Sequence, residues 1–97
     1  MNIAFDPAKD AANRLKHGES LADAEGLEWE KILAAPDQRH DYGELRMVGY
    51  VPKDERVYCV VFVDRGEVRR IISLRKANKQ EVKRYAREIH VLYSSHS

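Results

Sequence analysis

The stretch RIISLRKANKQEVKRY, residues 70–85, begins as a strand and ends as a helix. Asn78 is a good N-cap, and Glu81 stands three residues on, the spacing of a capping box. From there Val82, Tyr85, Ala86, Ile89 and Tyr93 recur at helical intervals, with Lys79, Lys83, Arg84 and Arg87 off that stripe. A terminal helix therefore follows a strand directly. Just upstream, RVYCVVFV (56–63) is apolar at successive positions, as in a central strand covered on both faces. PKDE (52–55) and DRG (64–66) are short turn sequences on either side of it. Residues 45–75 are thus expected to form an antiparallel meander, with an extra strand around 38–43 as a further possibility.

The N-terminal half reads differently. NIAFDP (2–7) gives a short strand and then a helix start, with Asp6 as cap and Pro7 at the first helical position. Ala8, Ala11, Ala12 and Leu15 fall at i, i+3, i+4 and i+7, an apolar stripe expected to face the core. Gly18 suits a left-handed cap, which places Lys16 and His17 in the last turn. A second helix is expected from Ser20 through LADAEGLEWEKILAA, stopping near Pro36. The order β-α-α-β-β-β-α is an α+β fold: a small antiparallel sheet of four or five strands, two N-terminal helices and one C-terminal helix.

Ninety-seven residues suffice for one domain, read here as 1–97 with 94–97 as a frayed tail. No apolar run approaches a membrane span, and no signal-peptide pattern precedes Asp6 and Asp10. One cysteine, Cys59, excludes an internal disulfide framework and a cysteine-rich zinc site, and reads as core filler. A cytoplasmic protein is expected. The net charge of +1 hides an asymmetry: residues 1–48 carry 6 basic and 10 acidic side chains, residues 49–97 carry 11 and 6. Residues 65–87 hold 9 basic against 2 acidic, a footprint suited to a polyanion, although a solvated charged face has the same composition.

Simple alternation along the strand sends Arg69, Ile71, Ser73 and Arg75 to one face and Val68, Arg70, Ile72 and Leu74 to the other. The second set is the more apolar and is expected against the helices. Arg69, Ser73 and Arg75 would then form an outer basic face, joined by Arg46 from the neighbouring strand. Guanidiniums grouped this way suit phosphate, and salt bridges to nearby acids are the alternative. His17 titrates near neutrality and can act as general acid or base, or serve only as a cation at a helix C-terminus. His40 is ambiguous in the same way, and His90 and His96 read as helix surface and tail. No histidine has a partner at metal-ligand spacing, so no metal is expected. Glu44 beside Arg46 can be a base or a salt-bridge partner. Trp29 and Tyr42 can stack on bases, while a lone Trp also suits a core.

Several elements, in order, resemble the BrnT family of type II toxins: FDPAK (5–9), Asn13 followed by KHG (16–18), ADA (22–24), RHDYGELR (39–46), RG (65–66) and RIISLRKA (70–77) with Glu81 and Tyr85. The resemblance implies a RelE-like fold, metal-free RNA cleavage without a cofactor, arrest of translation, and a BrnA-type antitoxin as partner. Operator DNA would be reached only through that antitoxin. On this reading Arg75 and Arg65 stabilise the phosphate with Arg46 assisting, and His17, Lys16 or Glu44 moves the protons. Arg69, Ser73, Lys76, Lys79, Lys83 and Trp29 would contact RNA. The alternative is a toxin-like module that binds RNA or antitoxin but does not cut. A DNA-binding regulator fits less well, because no helix-turn-helix spacing is present.

Overall fold

The computed structural model describes residues 1–38 and 43–94. The elements are β1 (Asn2–Phe5), α1 (Pro7–His17), 3-10 turns at Leu21–Gly26 and Trp29–Lys31, β2 (Leu33–Pro36), β3 (Met47–Lys53), β4 (Arg56–Arg65), β5 (Val68–Lys76) and α2 (Lys79–Ser94). They form a five-stranded mixed sheet in the order β1-β5-β4-β3-β2. β4 is central, as its apolar run requires, and β3-β4-β5 is the expected antiparallel meander. β1 adds to the outer edge of β5 in parallel. The proposed strand around 38–43, with His40 and Tyr42, falls largely outside the described residues.

The second N-terminal helix does not form. Ser20 caps as expected, its hydroxyl accepting from Ala22 N–H at 3.2 Å. The chain then makes only two 3-10 turns, broken after Gly26. Residues 33–36 become β2 because β3 offers an unpaired edge, and an edge strand tolerates Pro36. Gly49 in β3 allows the close approach this pairing needs. A Cβ there would come 2.5 Å from the Ile32 side chain.

The core fills one face of the sheet. Leu21, Ala24 and Leu27 from the 3-10 segment pack on Val51, Val60, Phe62, Ile71 and Leu74. Ile71 and Leu74 are three apart, so strict alternation would point them to opposite faces. A β-bulge resolves this. Val61 pairs with Ser73 and Phe62 with Ile71, which leaves Ile72 as the extra residue. Burying Ile71 and Leu74 together stabilises by about 1.5–3 kcal/mol each, enough to hold the bulge.

α1 corrects a second expectation. Leu15 is 92% exposed, and Ala8, Ala11 and Ala12 are exposed too. The inward stripe is Asp6, Asp10, Asn13 and His17, and it is polar because it meets backbone rather than apolar side chains. Among the described residues, the outer edge of β5 has no strand partner beyond Phe5. Asn13 takes that place: its Nδ2 donates to Leu74 O at 2.8 Å and its Oδ1 accepts from Leu74 N–H at 3.1 Å. Nδ2 also donates to Glu19 O at 2.8 Å. Asp10 accepts from Leu21 N–H at 2.7 Å, tying α1 to the 3-10 segment.

Gly18 closes α1 at φ 75, in the left-handed region that favours glycine. The box at the start of α2 is complete: Asn78 N–H donates to Glu81 and Glu81 N–H to Asn78 Oδ1, at 2.8 and 2.9 Å. α2 then turns only part of its stripe inward. Tyr85 is buried and donates to Lys31 O at 2.7 Å, whereas Val82, Ala86, Val91 and Leu92 stay exposed. The helix is tied to β5 and β3 through Glu81 and to Lys31 through Tyr85. Among the described residues no helix is long and apolar enough to cross a membrane.

Asn13→Ala strands two buried β5 backbone groups and should lower unfolding free energy by about 2–4 kcal/mol. Leu15→Ala should change it by less than about 0.5 kcal/mol. Urea denaturation of both variants checks this; the reverse ranking would contradict the placement of α1.

Candidate active site

The bulge also decides what the second face of the sheet displays. Cys59, Val61 and Val63 of β4 lie there, opposite Arg75, Ser73 and Arg70 of β5. Val48 and Tyr50 of β3 pair with Val61 and Cys59 and share the face. Arg65, two residues after Val63, alternates to the same side, and Arg46 precedes Val48 by two. The face thus carries Arg46, Arg65, Arg70 and Arg75. Of the expected residues, Arg75, Arg65 and Arg46 are among them, and Ser73 shares the face. Arg70 is not expected there, and Arg69, expected there, is not.

Arg69 points to the core side. It bonds Asp64 through Nε and Nη2 at 2.7 and 2.9 Å. Its guanidinium lies 4.7 Å over the Trp29 ring and 4.2 Å over Phe62. Trp29 packs edge-on to Phe62 at 5.5 Å and donates from Nε1 to Ala24 O at 3.0 Å. Trp29 is therefore a partly buried side chain packed on the core, on the opposite face from Arg75. The single bulged residue separates Arg69 and Trp29 from the candidate site.

At one end of the face is a pocket whose lining includes Pro36, Tyr50, Cys59, Ser73, Arg75 and Glu81. Glu81 is its electrostatic centre. It accepts from Arg75 Nη1 and Nη2 at 2.8 and 2.9 Å, a two-point ion pair, and from the Tyr50 hydroxyl at 2.9 Å. Arg75 Nη1 also donates to Lys76 O at 3.2 Å. Three guanidinium N–H groups are engaged this way, yet the side chain remains 36% exposed. The Arg75 charge, with the Asn78 and Tyr50 hydrogen bonds, holds Glu81 down to about 2. Burial and the same carboxylate push the Tyr50 phenol up to about 12, and Glu81 raises Arg75. All three keep fixed protonation states near neutrality.

His17 reaches this end from the last turn of α1. Partial burial lowers its pKa, and the charges of Lys16 and Arg75 lower it further. It is the group here whose charge changes most readily near neutral pH. Lys16 is exposed beside it, and Lys76 lies 3.8 Å from Glu19. Lys79 and Lys83 extend the basic surface along the exposed side of α2.

The far end holds Arg65 and Glu44. Arg65 Nη2 and Nε donate to Glu44 Oε2 at 2.7 and 3.3 Å. That bond lowers the Glu44 pKa most, with further lowering from the charges of Arg65, Arg46 and Arg70. Arg65 pairs with Val68 in the sheet, whereas Arg75 pairs with Cys59. Six residues of strand, about 20 Å, separate the two levels, so both arginines cannot grip one phosphate. His17, Lys16 and Arg75 are brought to one end and Glu44, Arg46 and Arg65 to the other, with Ser73 between them opposite Val61.

Sequence reasoning missed three members. Glu81 was visible only as a cap, Tyr50 only as a strand residue, and Arg70 required the bulge. Glu81 gains its charge-stabilising contacts only on folding, so that contribution is complete above the unfolded carboxyl value of about 4.5 and disappears as pH falls towards about 2. Stability should therefore climb over that window, and Glu81→Gln should flatten the climb as well as weaken the fold at neutral pH. Thermal melts across pH 2–6 measure it; an unchanged slope in Glu81→Gln would remove Glu81 from the centre of the cluster.

The model of one family, "Ribonuclease toxin, BrnT, of type II toxin-antitoxin system", matches residues 5–81. No curated protein matches the chain. The matched span opens at the end of β1 and closes on Glu81, so it contains α1, strands β2 to β5 and both ends of the arginine-bearing face. The chain belongs to the BrnT family, the ribonuclease toxins of type II toxin-antitoxin systems.

Proposed function

We propose that this protein is a metal-independent endoribonuclease that arrests translation and is neutralised by a BrnA-type antitoxin. The observation that supports it best is Arg75, fixed by Glu81 at the rim of a pocket and within electrostatic range of His17. In the proposed reaction the ribose 2′-oxygen attacks the adjacent phosphorus and the bond to the 5′-oxygen breaks. A 2′,3′-cyclic phosphate and a 5′-hydroxyl result. His17, kept largely neutral by burial and its cationic neighbours, accepts the 2′-hydroxyl proton. Lys16 beside it supplies a proton to the departing oxygen. Arg75 stabilises the charge that builds on the phosphoryl oxygens, already oriented before RNA arrives. Ser73, Lys76, Lys79 and Lys83 hold the strand. Glu44 is assigned no proton transfer, because it sits at the opposite end and is firmly ionised by Arg65.

The Arg75–Glu81 pair also favours a second reading. A guanidinium already held by a carboxylate suits a module that binds RNA or antitoxin without cutting. One experiment separates the two. Induced expression of wild type should arrest growth and fragment RNA, and purified Arg75→Ala should lose about 10²–10³-fold in kcat. Harmless wild-type expression of folded protein would support the non-cutting module instead. The kcat/KM profile of the wild type should fall on the acid side through a pKa below 6.5, and His17→Gln should erase that limb. An acid limb surviving in His17→Gln would assign the base elsewhere.

A further inference from the structure

We propose that the end of the face remote from Arg75 is a second phosphate subsite, formed by Arg70, Arg65 and Arg46, which holds the same RNA strand several nucleotides from the cleaved bond. This rests on the ribonuclease reading above and adds a binding site to it.

The geometry comes from the strand register. Arg70 lies opposite Val63, and Arg46, one residue before the Met47–Phe62 pair, lies at the same level on the other side of β4. Arg65 alternates to the same face two residues beyond Val63. Arg65 of β4, Arg70 of β5 and Arg46, just ahead of β3, therefore face one patch. Asp64, next to Arg65 in sequence, is turned to the opposite face and bonded to Arg69, so it does not neutralise Arg65. Glu44 shows how the patch takes an anion. Two N–H groups of Arg65 hold one of its oxygens, at 2.7 and 3.3 Å, and its side chain is 33% exposed. A phosphate oxygen satisfies the same donors. Glu44 is thus a resident anion that an RNA phosphate displaces.

The spacing selects an extended single strand. About 20 Å of strand separates the levels of Arg65 and Arg75, too far for one phosphate and suited to phosphates several nucleotides apart. Between the two ends the floor is Val61 and Ser73. The strand is then held by charge at both ends of the face, which makes binding dependent on length and on salt.

The test compares cleavage of a dinucleotide with that of an RNA of about ten nucleotides. Wild type should show a lower KM for the longer RNA. Arg70→Gln should raise that KM about tenfold and reduce its salt slope by about 0.7, the share of one phosphate contact on a single strand. Its KM for the dinucleotide should stay within about twofold. Glu44→Gln removes the competing anion and should lower the KM for the longer RNA, a gain that misfolding cannot imitate. Equal effects of Arg70→Gln on both substrates, or no gain in Glu44→Gln, would overturn the subsite. If wild type cleaves neither RNA, the ribonuclease reading fails by itself. The subsite is then decided by fluorescence anisotropy with a 2′-O-methyl RNA, where an Arg70→Gln salt slope equal to wild type would overturn it.

Discussion

One extra residue in β5 governs which side chains the protein buries and which it presents. With Ile72 bulged, Ile71 and Leu74 both enter the core, and Ser73 and Arg75 emerge together on the other face. Without it, keeping Leu74 inside would turn Ile71 and Arg69 out and bring Ile72 and Arg70 in, and keeping Ile71 inside would expose Leu74 and bury Ser73 and Arg75. Asn13 supports the arrangement from outside by completing the hydrogen bonding of Leu74 where β1 has ended. The same contact brings the C-terminal turn of α1, with Lys16 and His17, to the end of the sheet that carries Arg75.

Glu81 performs the corresponding task from the other side. It closes the capping box of α2, clasps Arg75 and accepts from Tyr50. One carboxylate thereby joins a helix start, a strand end and the floor of the pocket. A capping residue that is also the counter-ion of Arg75 links the order of the helix to the order of the pocket rim. In such a site the cation needs little reorganisation when charge develops on a substrate.

Much of this was legible in the amino-acid sequence. The unbroken apolar run of β4 marked a central strand, the short turns marked the meander, and Asp6, Gly18 and the Asn78–Glu81 pair marked helix ends. These signals are local, and the structure follows them. The failures are equally physical. Residues 20–35 have helical composition, but Gly26 weakens a helix there and β3 supplies an edge that residues 33–36 pair with. The Ala8–Leu15 stripe has the right spacing for a buried face, yet α1 docks on backbone polar groups, which Asn13 and Asp10 satisfy and alanine cannot. The bulge depends on which β4 residues the strand meets, so no pattern within β5 reveals it. That is why Arg69 reads as an outer-face group and is found bracing the core, while Arg70 reads as buried and shares the face of Arg75.

The central claim is that the face bearing Arg75, rather than the face bearing Trp29 and Arg69, meets RNA. The most direct measurement is an NMR titration of the isotopically labelled protein with a non-cleavable 2′-O-methyl RNA. Shifts should concentrate on Arg75, Ser73, Tyr50 and His17 and extend to Arg70 and Arg65, with the Trp29 indole N–H unmoved. Shifts centred on the Trp29 indole and Arg69, with Arg75 and Ser73 silent, would contradict the account.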